Sequence, residues 1–366
     1  MEEVVNIFQQ KSDLIDSSYI IYKRKKQKFN YVKEFDQLRI FCDKSSYKNV
    51  LSEGDYDVVY FHSLPPENYW ILKSIPDDKV VVWWSWGYDI YNGGMWGWTS
   101  FINIDSVKKQ TKKTQLQSRG VNRTTMLFLC QLYYELYCRF KRNWVLKRID
   151  YFQPVLSVEY NLMKKNKFFK AKEYYPPKYG PTFHVKMDTK KLDGSIIIGN
   201  SASAFNNHVD VWELIKSKIP YNRQVIVPLS YGTKKYADNV KKIINGRNIT
   251  FLEKFLPVKE YYNIMNNCSY AVYGSIRQHA MGNIFHALSE GMKVFLFKNS
   301  IVYRYLKDLG FSVYALEEIN NDSFNTPITI EEALQNEQAF NKMRRHCSIV
   351  IEESMKNIEL QISKRL

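Results

Sequence analysis

The alternation of apolar and polar positions divides this chain into short apolar runs separated by amphipathic stretches, a pattern typical of α/β proteins. In the first half, strands are predicted at residues 19–22, 38–42, 58–62, 80–84 and 149–156, and helical structure at residues 106–148. Residues 2–10 also have a helical pattern, so this region opens on a helix, whereas such domains usually begin with a strand. We therefore expect that the first strand of the first sheet is missing from this chain.

The second half repeats the alternation more regularly. Strands are predicted at residues 196–199, 224–228, 249–252, 270–273 and 293–297, with helices at residues 209–218, 234–244, 258–265 and 282–290. A helix between successive strands predicts right-handed crossovers in a parallel sheet. A further long helix is predicted from residue 330 to residue 366.

The length of 366 residues exceeds what one hydrophobic core usually holds, so two domains are expected. Residues 164–194 contain lysine, proline and glycine in a proportion typical of a linker. We assign residues 1–180 to an N-terminal domain, residues 190–329 to a C-terminal domain and residues 330–366 to a helical segment. The predicted fold class is α/β, with two Rossmann-like parallel-sheet domains facing each other across a cleft.

Residues 195–208 (SIIIGNSASAFNNH) pass from an apolar β-branched run into a small polar loop and then into a predicted helix. Gly199, Asn200 and Ser201 give the loop little side-chain bulk, so its backbone can approach a ligand closely. A loop between the carboxyl end of a parallel strand and a helix N-terminus favours phosphate. The segment predicts an anion site, although a purely structural turn has a similar composition.

A second candidate loop follows the predicted strand at residues 270–273. It combines a guanidinium, amide groups and a glycine at the start of the next helix, at Arg277, Gln278, Gly282 and Asn283. An arginine beside a free helix N-terminus favours diphosphate binding. At the far end of that helix, Glu290 could reach a ribose hydroxyl or remain solvated. His279 and His286 lack a third ligand, so no metal site is predicted.

A third loop, residues 228–232 (PLSYG), places Tyr231 where it could stack on a nucleobase. A turn of proline, serine and glycine needs no ligand, so this loop alone is ambiguous. However, all three loops follow strands of one parallel sheet, and open parallel sheets bind ligands at that edge. Together they predict a diphosphate pocket in the second domain.

In the first domain, two titratable side chains follow predicted strands. His62 ends the strand VVYFH, and Asp89 lies in the loop WSWGYDIY after residues 80–84. Either side chain could accept the proton of an acceptor hydroxyl. The alternative is that His62 is a core residue and Asp89 caps a helix.

The formal charge of +16 is concentrated in residues 101–200, which carry 20 Lys and Arg against 7 Asp and Glu. This regional excess predicts a polyanionic partner. Within it, residues 108–148 combine basic side chains with an apolar helical stripe, which could lie on an anionic membrane surface or form an ordinary core face. The basic residues do not belong to a recognised reading motif, so a nucleic acid partner is not expected.

Five widely spaced cysteines without a CxxC motif favour a reduced, cytosolic location. The acidic amino terminus does not resemble a secretory signal. The longest uncharged apolar stretch in the basic region is too short to span a bilayer.

With these motifs in view, the chain resembles glycosyltransferase family 56, the 4-acetamido-4,6-dideoxy-D-galactose (Fuc4NAc) transferases that act on a polyprenyl-diphosphate-linked disaccharide in enterobacterial common antigen synthesis. The resemblance is carried by WSWGYDIY, IIIGNSASAFNNH, VIVPLSYG and residues 261–291 around Arg277, in the same order.

The resemblance implies a GT-B fold with an acceptor lobe and a nucleotide-sugar lobe, no cofactor, no obligatory metal and peripheral attachment to the cytoplasmic face of the inner membrane. It implies a nucleotide-diphosphate sugar, dTDP-linked, as donor and a polyprenyl-diphosphate-linked saccharide as acceptor. Residues 278–283 depart from the family pattern, which leaves a capsule or O-antigen enzyme with another deoxyamino sugar as an alternative. A non-catalytic membrane-surface or polysaccharide-assembly protein that retains the fold is a second alternative.

Overall fold

The computed structural model describes residues 18–22, 37–91, 100–119, 125–176, 180–186, 194–246 and 248–364. The helix predicted at residues 2–10 and the glycines that follow WSWGYDIY therefore lie outside the described residues. The described elements follow the α/β order that the apolar pattern predicts.

The first half contains β1 (Tyr19–Tyr22), β2 (Leu38–Phe41), α1 (Lys44–Glu53), β3 (Val58–His62), α2 (Tyr69–Leu72), β4 (Val80–Trp84), α3 (Tyr88–Tyr91), α4 (Lys109–Arg119), α5 (Thr125–Arg148), β5 (Tyr151–Gln153), α6 (Ser157–Met163) and β6 (Lys172–Glu173). The strands predicted at residues 19–22, 58–62 and 80–84 are confirmed. The strand predicted at residues 149–156 is shorter, because α6 begins at Ser157 and its Glu159 side chain accepts hydrogen bonds from the preceding backbone.

The second half contains β7 (Ser195–Ile198), α7 (His208–Ile215), β8 (Val225–Pro228), α8 (Lys234–Ile243), β9 (Ile249–Leu252), α9 (Val258–Asn266), β10 (Cys268–Tyr273), α10 (Met281–Ser289), β11 (Lys293–Leu296), α11 (Ile301–Leu309), β12 (Tyr314–Ala315) and α12 (Ile330–Ser363). Every strand and helix predicted for this half is present, with bounds shifted by a few residues. The sequence analysis missed α11, which begins after the N-cap Ser300, whose side chain accepts from Val302 N.

The chain divides into two compact units. The first unit comprises Met1–Asn103, Phe128–Gly180 and Arg345–Leu366, and the second comprises Ile104–Leu127 and Pro181–Arg344. The first unit contains a parallel sheet of order β3-β4-β5-β6 and a separate parallel pair, β1-β2. Strand β4 reads VVVWW and is buried throughout, as expected for a central strand covered on both faces. The last turns of α12 provide part of that cover, where Ile358 packs against Val80 and Val82.

The second unit contains a six-stranded sheet that is parallel throughout, in the order β12-β11-β10-β7-β8-β9. From β7 the chain adds β8 and β9 on one side, and it then crosses to β10 on the other side. The loops that leave β7 and β10 therefore flank a topological switch point, where parallel sheets of this kind bind ligands.

Helix α4 belongs to the second unit, although the sequence-based boundaries placed it in the first domain. The N–H groups of Gln110 and Thr111 donate to the Asp210 carboxylate of α7, at 3.1 and 2.7 Å. Residues 330–344 of α12 also belong to the second unit, and its later residues belong to the first. Apolar periodicity identifies a helix but does not identify the sheet on which that helix packs.

Candidate active site

The turn after β7 is shaped by Gly199, whose φ is +70°. A Cβ at this position would lie 2.7 Å from Nε2 of His208, and its N–H donates to the carbonyl of Val272 in β10 at 2.8 Å. Only glycine fits both the left-handed conformation and the close ring. The turn is thereby held against the neighbouring strand β10, at the switch point of the sheet.

The loops after β7 and β8 are joined by backbone hydrogen bonds. Ala202 N donates to the carbonyl of Tyr231 at 2.7 Å, and Thr233 N donates to the carbonyl of Ala202 at 3.1 Å. Gly232 permits this approach, because its φ is +118° and a Cβ would lie 2.4 Å from the Ala202 carbonyl oxygen. The Asn200 amide donates to the Tyr231 hydroxyl at 2.9 Å, while 52% of the Tyr231 side chain remains exposed.

The loop after β10 carries Arg277, which is 6% exposed. Its guanidinium lies 4.0 Å from the centre of the Phe205 ring, and it donates to the carbonyl of Gln278 at 3.4 Å. Burial, with the nearby Arg277 charge, lowers the pKa of His279 to about 4. At neutral pH the imidazole is therefore neutral, and the positive charge of this loop is carried by Arg277.

Asn207 joins the loops after β7 and β10. Its side-chain amide donates to the carbonyl of Gly274 at 2.7 Å and to the carbonyl of Ser106 at 3.1 Å. Asn207 precedes α7 with φ of +48°, and Ala280 precedes α10 with φ of +59°. Left-handed backbone at non-glycine residues is costly, and it concentrates at ligand sites and switches.

Helix α10 starts beside open space, because no atom lies within 4 Å of a Cβ built at Gly282. The Asn283 amide donates to the Tyr261 hydroxyl at 3.3 Å. Glu290 lies at the opposite end of this helix, where its carboxylate pairs with Lys186 Nζ at 2.7 Å. A helix of this length separates its ends by about 13 Å. The structure thus brings the other predicted donor residues to one edge of the sheet, and Glu290 does not join them.

Three residues at this edge were not identified from the sequence: Phe205, Asn207 and His208. An asparagine directly before α7 is the residue type of an N-cap, although the Asn207 side chain makes no capping hydrogen bond to this helix. No local signal marks Phe205, since its role depends on Arg277 from another loop. His208 is fully buried, its Nδ1 lies 3.3 Å from the Tyr236 hydroxyl, and burial lowers its pKa to about 3.

In the first unit, Asp89 connects two loops. Its Oδ2 accepts from Leu64 N at 3.0 Å and from Trp83 Nε1 at 2.8 Å, and its Oδ1 accepts from Trp86 N at 2.9 Å. The residue is 1% exposed, and burial raises its pKa while these donors oppose the increase. The loops after β3 and β4 are therefore held together by one enclosed carboxylate.

His62 is exposed at the carboxyl end of β3, in register with Trp84 of β4. Its ring centroid lies 5.1 Å from the ring centroids of both Tyr60 and Trp84. The crowding by these neighbours desolvates the imidazole and lowers its pKa to about 4. His62 is therefore neutral at pH 7 and able to accept a proton.

Across the described residues, no three His, Cys, Asp or Glu side chains come together as a group that could hold a metal ion. Within the same part of the chain, no helix combines the length and the apolar composition needed to cross a bilayer.

Comparison with known proteins agrees with this geometry. The model of a family described as 4-alpha-L-fucosyltransferase glycosyl transferase group 56 matches residues 129–337. Among solved structures, the chain is similar to a UDP-forming alpha,alpha-trehalose-phosphate synthase from Burkholderia xenovorans, at 9% identity over 97% of this chain and 96% of that chain, with a TM-score of 0.50.

It is also similar to a sucrose-phosphate synthase from Thermosynechococcus elongatus, at 11% identity over 94% of this chain and 87% of that chain, with a TM-score of 0.50. A third similar structure is an alpha,alpha-trehalose 6-phosphate synthase from Burkholderia multivorans, at 7% identity over 87% of this chain and 75% of that chain, with a TM-score of 0.51. At these identities the likeness shows the fold, which is GT-B, and the predicted fold class is confirmed.

Proposed function

Because the chain belongs to the 4-alpha-L-fucosyltransferase family, glycosyl transferase group 56, and has the GT-B fold, we propose that it moves a Fuc4NAc-like deoxyamino sugar from a dTDP-linked donor to a polyprenyl-diphosphate-linked saccharide. Membership of the family makes it a glycosyltransferase. The donor, the acceptor and the role in surface polysaccharide synthesis are the parts that we propose. The main support for the proposed donor site is the nearly buried Arg277 guanidinium at the switch point of the sheet in the second unit.

Arg277 and the start of α10 would bind the donor diphosphate. The guanidinium is held on the Phe205 ring, and the N-terminal N–H groups of α10 carry partial positive charge. When the bond from the anomeric carbon to the diphosphate breaks, negative charge develops on the leaving oxygen. A fixed and desolvated cation stabilises this charge more than a solvated one. Asn200 and Ser201 would donate further hydrogen bonds, and Tyr231 would offer a stacking face to the base. In this proposal no metal ion takes part.

Calorimetric titration with dTDP and UDP tests the donor site. Arg277→Ala should weaken dTDP binding about 10- to 100-fold, because a hydrogen bond to a charged group contributes about 1.5 to 3 kcal/mol. Arg304→Ala removes an exposed arginine from α11 of the same unit and should bind dTDP as the parent does. The UDP titration compares the two nucleotides, which differ in the base methyl group and in the 2′-hydroxyl. Parent-like dTDP binding by Arg277→Ala would falsify the assignment.

His62 is the residue that we propose as general base. Its neutral imidazole can accept the proton of the attacking hydroxyl. Asp89 was the other sequence candidate. All three of its hydrogen bonds come from donors that fix the loops, so we assign it a positioning role.

Kinetic constants for the acceptor separate these two roles. His62→Ala should lower kcat about 100-fold or more, as loss of a general base does, with dTDP affinity preserved. Asp89→Asn should raise the acceptor KM more than it lowers kcat, because it loosens both loops. If Asp89→Asn instead lowers kcat at unchanged KM, Asp89 is the base. Full activity of both variants removes the assignment.

Transfer by the purified protein tests the function as a whole. The expected result is release of dTDP from dTDP-Fuc4NAc that depends on a polyprenyl-diphosphate-linked saccharide. A purified protein that binds vesicles but neither transfers sugar nor hydrolyses the donor would instead be a non-catalytic membrane-surface or assembly protein.

Helix α5 carries the surface by which we propose that the protein attaches to the cytoplasmic face of the inner membrane. Exposed apolar side chains follow one face of this helix, at Leu129, Tyr133, Tyr137, Phe140 and Trp144, and we call this set the aromatic stripe. Lys141 and Lys147 lie beside it on the same helix, and Lys141 Nζ lies 5.8 Å from the centre of the Tyr137 ring. Aromatic residues with adjacent cations are typical of helices that lie in an anionic interface.

Vesicle sedimentation tests this surface. Binding should be stronger to vesicles of phosphatidylcholine with phosphatidylglycerol than to phosphatidylcholine alone, and it should weaken with salt. Phe140→Ser, at a side chain 77% exposed, should reduce binding. Phe255→Ser is the matched control, because Phe255 is 59% exposed in the second unit and lies outside the aromatic stripe. An equal loss of vesicle binding in both variants would contradict a specific role for the aromatic stripe.

A further inference from the structure

Trp86 presents an open aromatic face just after the carboxyl end of β4. Its ring stacks on the Trp84 ring, with centroids 4.6 Å apart and planes at 30°, so a buried neighbour sets its orientation. Trp86 nevertheless keeps 46% of its surface exposed, and Tyr88 keeps 47%. A pair of large aromatic side chains that is held in place and open to solvent is typical of a binding surface.

The backbone around this surface is fixed by interactions between the loops after β3 and β4. Asp89 accepts from the N–H groups of both Trp86 and Leu64. Ser63 has φ of +77°, a left-handed conformation that costs a non-glycine residue about 1 to 3 kcal/mol. Its hydroxyl lies 2.5 Å from the Tyr88 hydroxyl. The strained residue therefore places its hydroxyl at the hydroxyl of Tyr88, one of the two exposed aromatic side chains.

The chemistry of this surface fits a pyranose ring. A pyranose has a face of C–H groups that packs on an aromatic plane, and a rim of hydroxyls that both donate and accept hydrogen bonds. Trp86 and Tyr88 provide aromatic faces, while the Ser63 and Tyr88 hydroxyls and the His62 imidazole provide partners for the rim. None of these four side chains is cationic at neutral pH, which disfavours a phosphate as the ligand.

We propose that Trp86 and Tyr88, with Ser63 and His62, form the subsite for the acceptor's sugar ring, the ring whose hydroxyl receives the transferred sugar. This inference rests on the proposed function, because it assigns part of the acceptor to this surface. The reacting hydroxyl would lie beside His62, whose ring adjoins Trp84 beneath Trp86. Its oxygen bonds to the anomeric carbon, its proton passes to His62, and the diphosphate leaves with the electron pair of the broken bond.

Saturation-transfer NMR on the full chain tests this subsite. The probes are the methyl glycosides of galactose, N-acetylglucosamine and glucuronic acid. Trp86→Ala should weaken binding of the preferred glycoside about tenfold, as loss of an aromatic contact of about 1.5 kcal/mol implies. Tyr88→Ala should also weaken it, which gives a second test if Trp86→Ala does not fold. Tyr221→Ala removes an exposed tyrosine from the second unit and should bind as the parent does.

Calorimetric titration of the same samples with dTDP separates this inference from the proposed function. Both first-unit variants should bind dTDP as the parent does. Glycoside binding that is absent from the parent, or unchanged in both Trp86→Ala and Tyr88→Ala, overturns the subsite whatever the dTDP result. A parent that binds glycosides through Trp86, yet binds no nucleotide and transfers no sugar, supports a pyranose-binding surface at Trp86 and contradicts the proposed function.

Discussion

Glu159 is expected to make the first unit less stable as the pH rises towards 7. The side chain is fully buried in the first turn of α6, where its Oε2 accepts from Val155 N at 3.1 Å and from Leu156 N at 2.9 Å. Burial outweighs these hydrogen bonds and raises its pKa from 4.5 to about 7. The folded state therefore keeps the proton over a pH range in which the unfolded chain has released it. The stabilisation that this retained proton provides is fully present below pH 4.5 and is lost as the pH rises to about 7.

The magnitude follows from the pKa difference. A shift from 4.5 to about 7 corresponds to about 3 kcal/mol of unfolding free energy. Glu159→Gln retains a side-chain oxygen for both N–H donors but cannot ionise. We therefore expect its stability relative to the parent to be about 3 kcal/mol greater at about pH 8 than at about pH 4.5.

Urea unfolding followed by tryptophan fluorescence measures this difference. Trp212 is the one tryptophan of the sequence that falls within the residue ranges of the second unit, so the signal reports mainly on the first unit. Glu53→Gln, at an exposed position in α1, is the matched control and should show no such pH dependence. A free-energy difference between Glu159→Gln and the parent that is the same at both pH values would show that the folded state does not raise the pKa of Glu159.

Three further substitutions test single contacts. Gly232→Ala should lower the free energy of unfolding by at least about 2 kcal/mol and weaken dTDP binding, because the left-handed backbone and the close Ala202 carbonyl both oppose a Cβ. Thermal unfolding measures the first effect and calorimetry the second. Values like those of the parent would contradict the loop geometry. Asp43→Ala should lower the free energy of unfolding, measured with urea, by about 1 kcal/mol, because it removes the N-cap of α1. An unchanged free energy would mean that solvent replaces the cap. Asp210→Ala should speed amide hydrogen exchange across residues 109–119, because it removes the carboxylate that accepts from the first N–H groups of α4. Mass spectrometry measures this exchange. An unchanged exchange rate would show that other contacts hold this helix.

The loops that we propose to bind the donor could be located from the sequence because their signal is local. Strands β7, β8 and β10 are apolar runs that end in small polar residues, and parallel strands place such loops at one edge of the sheet. The interaction partner of Glu290 could not be predicted in this way. Its position at a helix end was readable, but its pairing with Lys186 depends on a residue more than 100 positions earlier in the chain.

Asp89 and His62 illustrate the same limit in the first unit. The sequence indicated both loops as candidates, but it could not show that Asp89 is enclosed by three donors while His62 remains exposed. Trp83 Nε1 comes from β4, Trp86 N from the loop after β4, and Leu64 N from the loop after β3. Only their combination decides that the Asp89 carboxylate is enclosed and that the His62 imidazole is accessible.

Local sequence was sufficient to predict the alternating strands and helices, the two α/β units and the edge of each sheet at which polar residues gather. These properties follow from apolar periodicity, which is set within a few residues and dictates which faces must be buried. The tertiary structure alone decided that α4 belongs to the second unit, that Phe205 carries the Arg277 guanidinium and that Trp86 stands open on a buried Trp84. Burial and hydrogen-bond partners at these positions come from distant parts of the chain, so no local pattern encodes them.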